Sequence, residues 1–207
     1  MTNADGGVVW RPAAQSIGVK CFPVSLHRTG TRSMSTLLSQ YCSVLQYPVR
    51  YGGVDLESQI AGREQDLGFV TDLLSPALDS YDAVTDVPVP VLYRQLFHRY
   101  PNAKFILLLR DPFDWLRSVR RHVGRRPLLP CERVQYWHYL TWRPNALSKV
   151  ADKQLLGMHA QHTADVIGFF ERISADSLGV FELRPESGPA IAAFLNMDAG
   201  AVLPLVP

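Results

Sequence analysis

The sequence predicts an α/β fold: a mostly parallel β-sheet with helices on both faces, arranged in three layers. Three observations carry this. Short apolar runs alternate along the chain with longer segments whose apolar residues recur every three or four positions. The runs are nearly free of polar residues, as strands buried on both faces require. Helical segments follow the runs, which is the connection that parallel neighbours need.

Taken in order, Val19 to Ser25 is a buried strand, and Met34, Leu37, Leu38 and Tyr41 recur at i, i+3, i+4, i+7 in the helix after it. Ala83 to Asp86 is a second strand. Leu92, Leu96 and Tyr100 mark the next helix, which stops at Tyr100-Pro101-Asn102. Lys104 to Leu109, KFILLL, is the clearest strand in the chain. Asp111 caps a new helix, with Pro112 at its first position, Asp114 in its first turn, and a core face of Leu116, Val119 and Val123. A long helix spans about 152–173, with Leu155, Met158, Val166, Phe169, Phe170 and Ile173 on one side. Leu178 to Leu183 is a last strand, and Ala190 to Leu195 lies in a last helix. No repeat, low-complexity tract or linker interrupts residues 1–207, which read as one domain.

Of the 207 residues 47% are hydrophobic and 19% charged, a globular balance with enough material for a core. No apolar run approaches the roughly 20 residues that span a bilayer. The start, MTNADGGVVWRP, lacks the basic and apolar segments of a secretory signal. Cys21, Cys42 and Cys131 are too scattered for a disulfide framework or a zinc site. The expectation is a cytoplasmic protein with reduced thiols, no metal and no membrane partner. Arg117, Arg120, Arg121, Arg125 and Arg126 crowd one stretch just after Arg110, whose plain reading is a solvated helix face. That basic stripe is too local, and a net charge of +2 too small, for a nucleic-acid partner.

The loop Leu26-His27-Arg28-Thr29-Gly30-Thr31-Arg32-Ser33 joins the first strand to the first helix. Ligands of such sheets bind beyond the carboxyl ends of the strands. Backbone N–H groups in such a loop, and at the helix start, point toward an anion. Gly30 lets the backbone approach closely, while Arg28, Thr29, Thr31 and Ser33 add side-chain donors. The plainer reading is a polar turn before a helix. In the triphosphate loop G-x-x-x-x-G-K-[ST], Ser25 stands for the first glycine and Thr31 for the lysine, with Arg32 one place too late. A nucleotide or small-molecule kinase of P-loop fold, the first alternative, thus lacks its cation. Arg110 ends a strand at the same edge of the sheet, with Ser118 inside the following helix. Together they make a site for a second phosphate.

The pattern x-[RK]-[ST]-G-T followed by strand-R-D-P-x-D-x-x-x-S resembles the sulfotransferases that use 3′-phosphoadenosine 5′-phosphosulfate. The segment DVPVPVLYRQLFHRYPNAKFILLLRDPFDWLRS is similar to their short, P-loop-like branch. The resemblance covers residues 19–123 and continues more weakly to FELRPESGPAIAAFLNM. It implies a P-loop nucleotide-hydrolase-like sulfotransferase fold, with 19–123 as nucleotide-binding core and 124–149 as a lid or acceptor segment. It further implies that Arg28, Thr29, Gly30, Thr31, Arg32 and Ser33 hold the 5′-phosphosulfate, and that Arg110 and Ser118 hold the 3′-phosphate. The product would be 3′,5′-bisphosphoadenosine. Two departures stand out. Arg32 replaces a second threonine, and no Arg-Lys-Gly triplet appears near the C-terminus. The arginine cluster after Ser118 is the available substitute for the triplet.

The implied chemistry is in-line transfer of a sulfonate to a hydroxyl or amine of a small-molecule or carbohydrate acceptor. Arg28 and the loop N–H groups would stabilise charge on the leaving phosphate, and a hydroxyl acceptor needs a general base. Asp86 stands where relatives carry a catalytic residue; the competing reading is a turn aspartate before Val87-Pro88. His27 comes next, although the cation beside it favours the neutral ring and packing alone explains a histidine there. Glu57 is third. A chain that binds the nucleotide without a base would be a non-catalytic homologue, the second alternative.

His159 and His162 share the apolar stripe of the long helix and read as core histidines, not metal ligands. Trp137, His138, Tyr139 and Trp142 form either a wall around the acceptor or a flap over the sheet edge.

Overall fold

The computed structural model of the chain describes residues 8–10, 18–47, 50–51, 54–197 and 202–205. The strands are β1 (Val8–Trp10), β2 (Cys21–Pro23), β3 (Val44–Gln46), β4 (Arg50–Tyr51), β5 (Val54–Asp55), β6 (Ala83–Thr85), β7 (Lys104–Leu109) and β8 (Leu178–Glu182). The helices are α1 (Thr31–Leu38), α2 (Leu56–Ile60), α3 (Leu67–Ser80), α4 (Tyr93–Arg99), α5 (Pro112–His122), α6 (Pro130–Tyr139), α7 (Asp152–Ile173) and α8 (Gly188–Phe194).

Six strands form one sheet in the order β1-β3-β6-β2-β7-β8. The five from β3 to β8 run parallel, and β1 closes the edge antiparallel to β3. A separate hairpin pairs β4 with β5. The pleat sorts the side chains of β7: Phe105 and Leu107 face a core shared with α3, α4, α6 and α7, while Ile106 and Leu108 face one shared with α1 and α8. These are the two outer helical layers that the alternation predicts. A third cluster joins Leu26 to α5, to Tyr136 of α6 and to Leu155 and Met158 of α7, and so fixes the ground beneath the loop.

Asp111 caps α5 as expected, its Oδ1 accepting from the N–H groups of Phe113 and Asp114 at 3.0 and 2.9 Å. The last turn of α5 carries Arg120, Arg121 and His122, a favourable set at the negative end of the helix dipole. Three helices are additions to the sequence reading, the short α2 and two longer ones. The stretch 67–80 has apolar residues at Leu67, Val70, Leu74 and Leu78 but is helical around an internal Pro76. In the segment 124–149, Pro130 occupies the first position of α6, where its missing N–H costs nothing, so a proline that looks like a breaker starts a helix.

His159 and His162 lie in the interior at 8% and 1% exposure. The Nε2–H of His162 donates to the Val24 carbonyl at 2.7 Å, so its Nδ1 accepts from the Tyr139 hydroxyl at 2.8 Å. Burial drives its pKa from 6.5 down to about 4, against the pull of the Val24 carbonyl. The unfolded chain takes up this proton near pH 6.5 and the fold only near 4, so the contribution is complete above 6.5 and is lost as pH falls through that window. The loss is on the order of 3 kcal/mol at the bottom of the window. The melting temperature is expected to fall between pH 6.5 and 4, with a slope that loses about one proton in His162→Gln. An unchanged slope in that variant would remove His162 from the account.

Candidate active site

The loop after β2 is anchored on both sides. The Leu108 N–H donates to Ser25 Oγ at 2.6 Å, and the Val24 N–H to the Ile106 carbonyl at 2.8 Å. Beyond these, Arg28 and Gly30 both take left-handed backbone, at φ 67° and 78°. This folds the chain into a tight crest before α1 begins. A Cβ on Gly30 would stand 2.4 Å from Leu183 Cδ1, so glycine is required by both conformation and contact. Gly30→Ala is expected to destabilise by about 1–2 kcal/mol, a drop in melting temperature of about 2–8 °C. A midpoint within a degree of wild type would mean that Leu183 and the loop relax freely.

Three contacts tie α5 and the end of β7 to this crest. The buried Trp115 donates its indole N–H to the His27 carbonyl at 3.0 Å. Arg28 Nε donates to Ser118 Oγ at 3.1 Å, and Arg110 donates to the Arg28 carbonyl at 2.7 Å. Arg28 is therefore joined to Arg110 and Ser118, 82 and 90 residues farther along the chain. Thr29 Oγ1 lies buried in the same loop with no hydrogen-bond partner, a donor-acceptor left over by the fold.

Two cavities open on the crest. The first, of about 960 Å³, is lined by Gly30, Ser33, Arg110 and Ser118 together with Arg117 and Arg121 farther along α5. Among its walls, Arg28, Arg32, Arg110, Arg117 and Arg121 outnumber Asp111, Asp114 and Glu182 by two charges. The second, of about 540 Å³, is lined by Asp86, Gln46, Tyr47 and His122, with Arg126 and Glu132 from the segment around α6. Arg28, Thr31 and Arg32 belong to both. Arg32, the departure from threonine, thus stands on the boundary between them.

Asp86, the residue after β6, has left-handed backbone at φ 72°. Its Oδ1 accepts from the Val87 N–H at 2.9 Å and its Oδ2 from Thr31 Oγ1 at 3.4 Å. His27 also borders the second cavity but is only 4% exposed. Its Nε2 lies 2.7 Å from the Tyr136 hydroxyl, and its backbone N–H donates to Gln135 at 3.2 Å. Burial lowers its pKa to about 4, with the nearby His122, Arg28 and Arg126 adding to the effect and Asp86 opposing it. Glu57 lines neither cavity; it lies behind the wall of the second, accepting from the hydroxyl of Tyr47, a lining residue, at 3.1 Å and from the Cys131 N–H at 3.4 Å.

Trp137, His138, Tyr139 and Trp142 line neither cavity. The indole of Trp137 donates to the Pro144 carbonyl, with Arg133 and Arg143 over its ring, and Tyr139 is bonded to His162. The segment reaches the second cavity through Arg126, Leu129 and Glu132 instead. In the sequence His122 shows no visible partner, although it lies one helical turn past Ser118, spacing that puts both on one face. Gln46 and Tyr47 gave no signal at all. Among the described residues, no group of three or more His, Cys, Asp or Glu could hold a metal ion, and no helix is long and apolar enough to cross a membrane.

The sequence matches the model of a protein family described as "Sulfotransferase domain" over residues 20–184. Among solved structures, the crystal structure of a sulfotransferase from Alicyclobacillus acidocaldarius is similar in fold, with a TM-score of 0.51 at 14% identity, over 93% of this chain and 85% of that one. No curated protein matches the sequence.

Proposed function

The chain belongs to the sulfotransferase domain family, and from that premise we propose that it moves a sulfonate from 3′-phosphoadenosine 5′-phosphosulfate to a hydroxyl of a small-molecule or carbohydrate acceptor. The observation that carries this reading is the pair of cavities sharing Arg28, Thr31 and Arg32. Transfer between two bound molecules needs two chambers with one boundary, and the reacting group must sit on that boundary. The larger chamber has the positive excess and the loop N–H groups suited to a bisphosphorylated nucleotide. Thr29 of that loop lines neither cavity, so its buried hydroxyl adds nothing to this reading.

In this scheme Arg110 and Ser118 hold the 3′-phosphate, and residues 28–33 hold the 5′-phosphosulfate. Arg28 stabilises the charge that grows on the bridging oxygen as the donor S–O bond breaks and the new bond from the acceptor oxygen to sulfur forms. Asp86, in the smaller chamber, accepts the hydroxyl proton.

Calorimetric titration tests the donor. Binding of 3′,5′-bisphosphoadenosine that weakens in Arg110→Ala and Ser118→Ala is the expected result. Preference for ATP with magnesium would replace this reading by that of a kinase. Binding of the bisphosphate without turnover over a wide acceptor panel would make the chain a non-catalytic homologue.

A further inference from the structure

The arginines after Ser118 look equivalent in sequence, and the structure separates them. Arg120 is spent on the fold: its guanidinium donates to the carbonyls of Leu147 and Val150 and to Asp152, tying α5 to the segment before α7. Arg126 forms a two-pronged pair with the buried Glu132, on the wall of the smaller cavity. Arg125 lines neither cavity. Arg117 faces the larger cavity but is paired with Asp114 one turn earlier.

Arg121 remains. Asp114, Arg117, Ser118 and Arg121 recur at i, i+3, i+4, i+7, so they form one stripe of α5, and all four line the larger cavity. Among the described residues, Arg121 makes no hydrogen bond or ion pair. It is the cation at the end of a stripe whose middle member, Ser118, already receives Arg28. A guanidinium so placed keeps its full set of donors for a planar, two-pronged hold on a phosphate.

We infer that Arg121 is the residue of the arginine cluster that completes the 3′-phosphate subsite with Arg110 and Ser118, so that selection of a 3′-phosphorylated donor is carried by helix α5. This rests on the donor reading given above. A second phosphate recognised on α5 separates 3′,5′-bisphosphoadenosine from 5′-adenylate, which carries only the 5′ group held by the loop. Arg121 therefore contributes to affinity for the first nucleotide and not to affinity for the second.

The experiment compares the dissociation constants of these two nucleotides by calorimetry, in wild type, Arg121→Ala and Arg121→Lys at one fixed salt concentration. Wild type is expected to prefer the bisphosphate. Arg121→Ala should weaken the bisphosphate by about 10- to 100-fold while leaving 5′-adenylate within about twofold, and Arg121→Lys should fall between. Arg121 is exposed on a helix surface, so the alanine variant should fold as the wild type does. Equal losses for both nucleotides would show general attraction of anions and overturn the inference. So would an unchanged ratio in the variant. A wild type that does not prefer the bisphosphate would remove the donor reading first, and a variant-independent ratio alone would not.

Discussion

Replacing Arg28 with alanine is expected to lower kcat by about 10²- to 10³-fold, the usual effect of removing one preorganised donor aimed at developing charge. The position of Arg28 is determined from three directions. Its backbone is held left-handed at φ 67°, its carbonyl accepts from Arg110, and its Nε donates to Ser118. The terminal nitrogens make no bond to the described residues, which leaves them to the boundary shared by the two cavities. Burial lowers the guanidinium pKa, and Asp86 opposes that shift. A guanidinium stays charged in such surroundings. Because the charge it meets grows only as the phosphate leaves, the loss should fall mainly on kcat, with bisphosphoadenosine affinity changing less. Arg28→Lys keeps the charge but loses the fork and the bond to Ser118, so an intermediate loss of roughly tenfold is expected. Parallel kcat and dissociation-constant measurements on both variants decide this. If Arg28→Ala weakened the bisphosphate as much as it lowered kcat/KM, Arg28 would be a binding residue alone.

The parts of this molecule that the sequence makes legible are those fixed by local chemistry. KFILLL is a strand because the five residues after Lys104 are an unbroken apolar run, and Asp111-Pro112 begins a helix because one caps and the other has no N–H to leave unpaired. The long helix from 152 to 173 follows from its stripe, and the stripe also places His159 and His162 inside. The loop between the first strand and first helix was legible as well, but the left-handed turn at Gly30 and its contact with Leu183 were not. What stayed illegible is which element covers which. Periodicity marks the buried face of a helix without naming its neighbour, so the aromatic residues after 136 could not be assigned to an acceptor wall or to the interior. Trp137 and Tyr139 go to Pro144 and His162. Besides the loop after β2 and α1, the smaller cavity draws on the ends of β3 and β6, the last turn of α5 and the segment around α6, places brought together only by the tertiary fold. The arginine cluster carries the same lesson. Arg120 and Arg121 are neighbours of identical chemistry, yet one is a strut with three partners and the other faces the larger cavity with none among the described residues.

Replacing Asp86 with asparagine is expected to lower kcat by about 10²- to 10⁴-fold, the range for loss of a positioned proton acceptor. Asparagine is the informative substitution here. It tolerates left-handed backbone nearly as well as aspartate does, so φ 72° need not relax. Its carbonyl oxygen can accept from the Val87 N–H or from Thr31, the two bonds that hold the carboxylate. Shape, strain and fold are therefore nearly conserved, and what disappears is a charge able to take a proton from the acceptor hydroxyl. Bisphosphoadenosine affinity should stay within about twofold, because Asp86 lines the smaller cavity and not the larger. A thermal midpoint close to wild type would confirm that the loss is chemical. The competing account, a turn aspartate that only shapes the chain before Val87, predicts nearly full activity in the asparagine variant and a large drop in stability for alanine. If kcat survives in Asp86→Asn, the proton must go to another group on the same wall. His122 is then the first to test, since burial and the nearby Arg28 and Arg126 lower its pKa and keep the ring neutral, and among the described residues the ring makes no hydrogen bond. A base of that kind would show itself in the pH dependence of kcat. With His122 as acceptor the acid limb lies below the ordinary histidine range, because burial and then Arg28 and Arg126 lower its pKa.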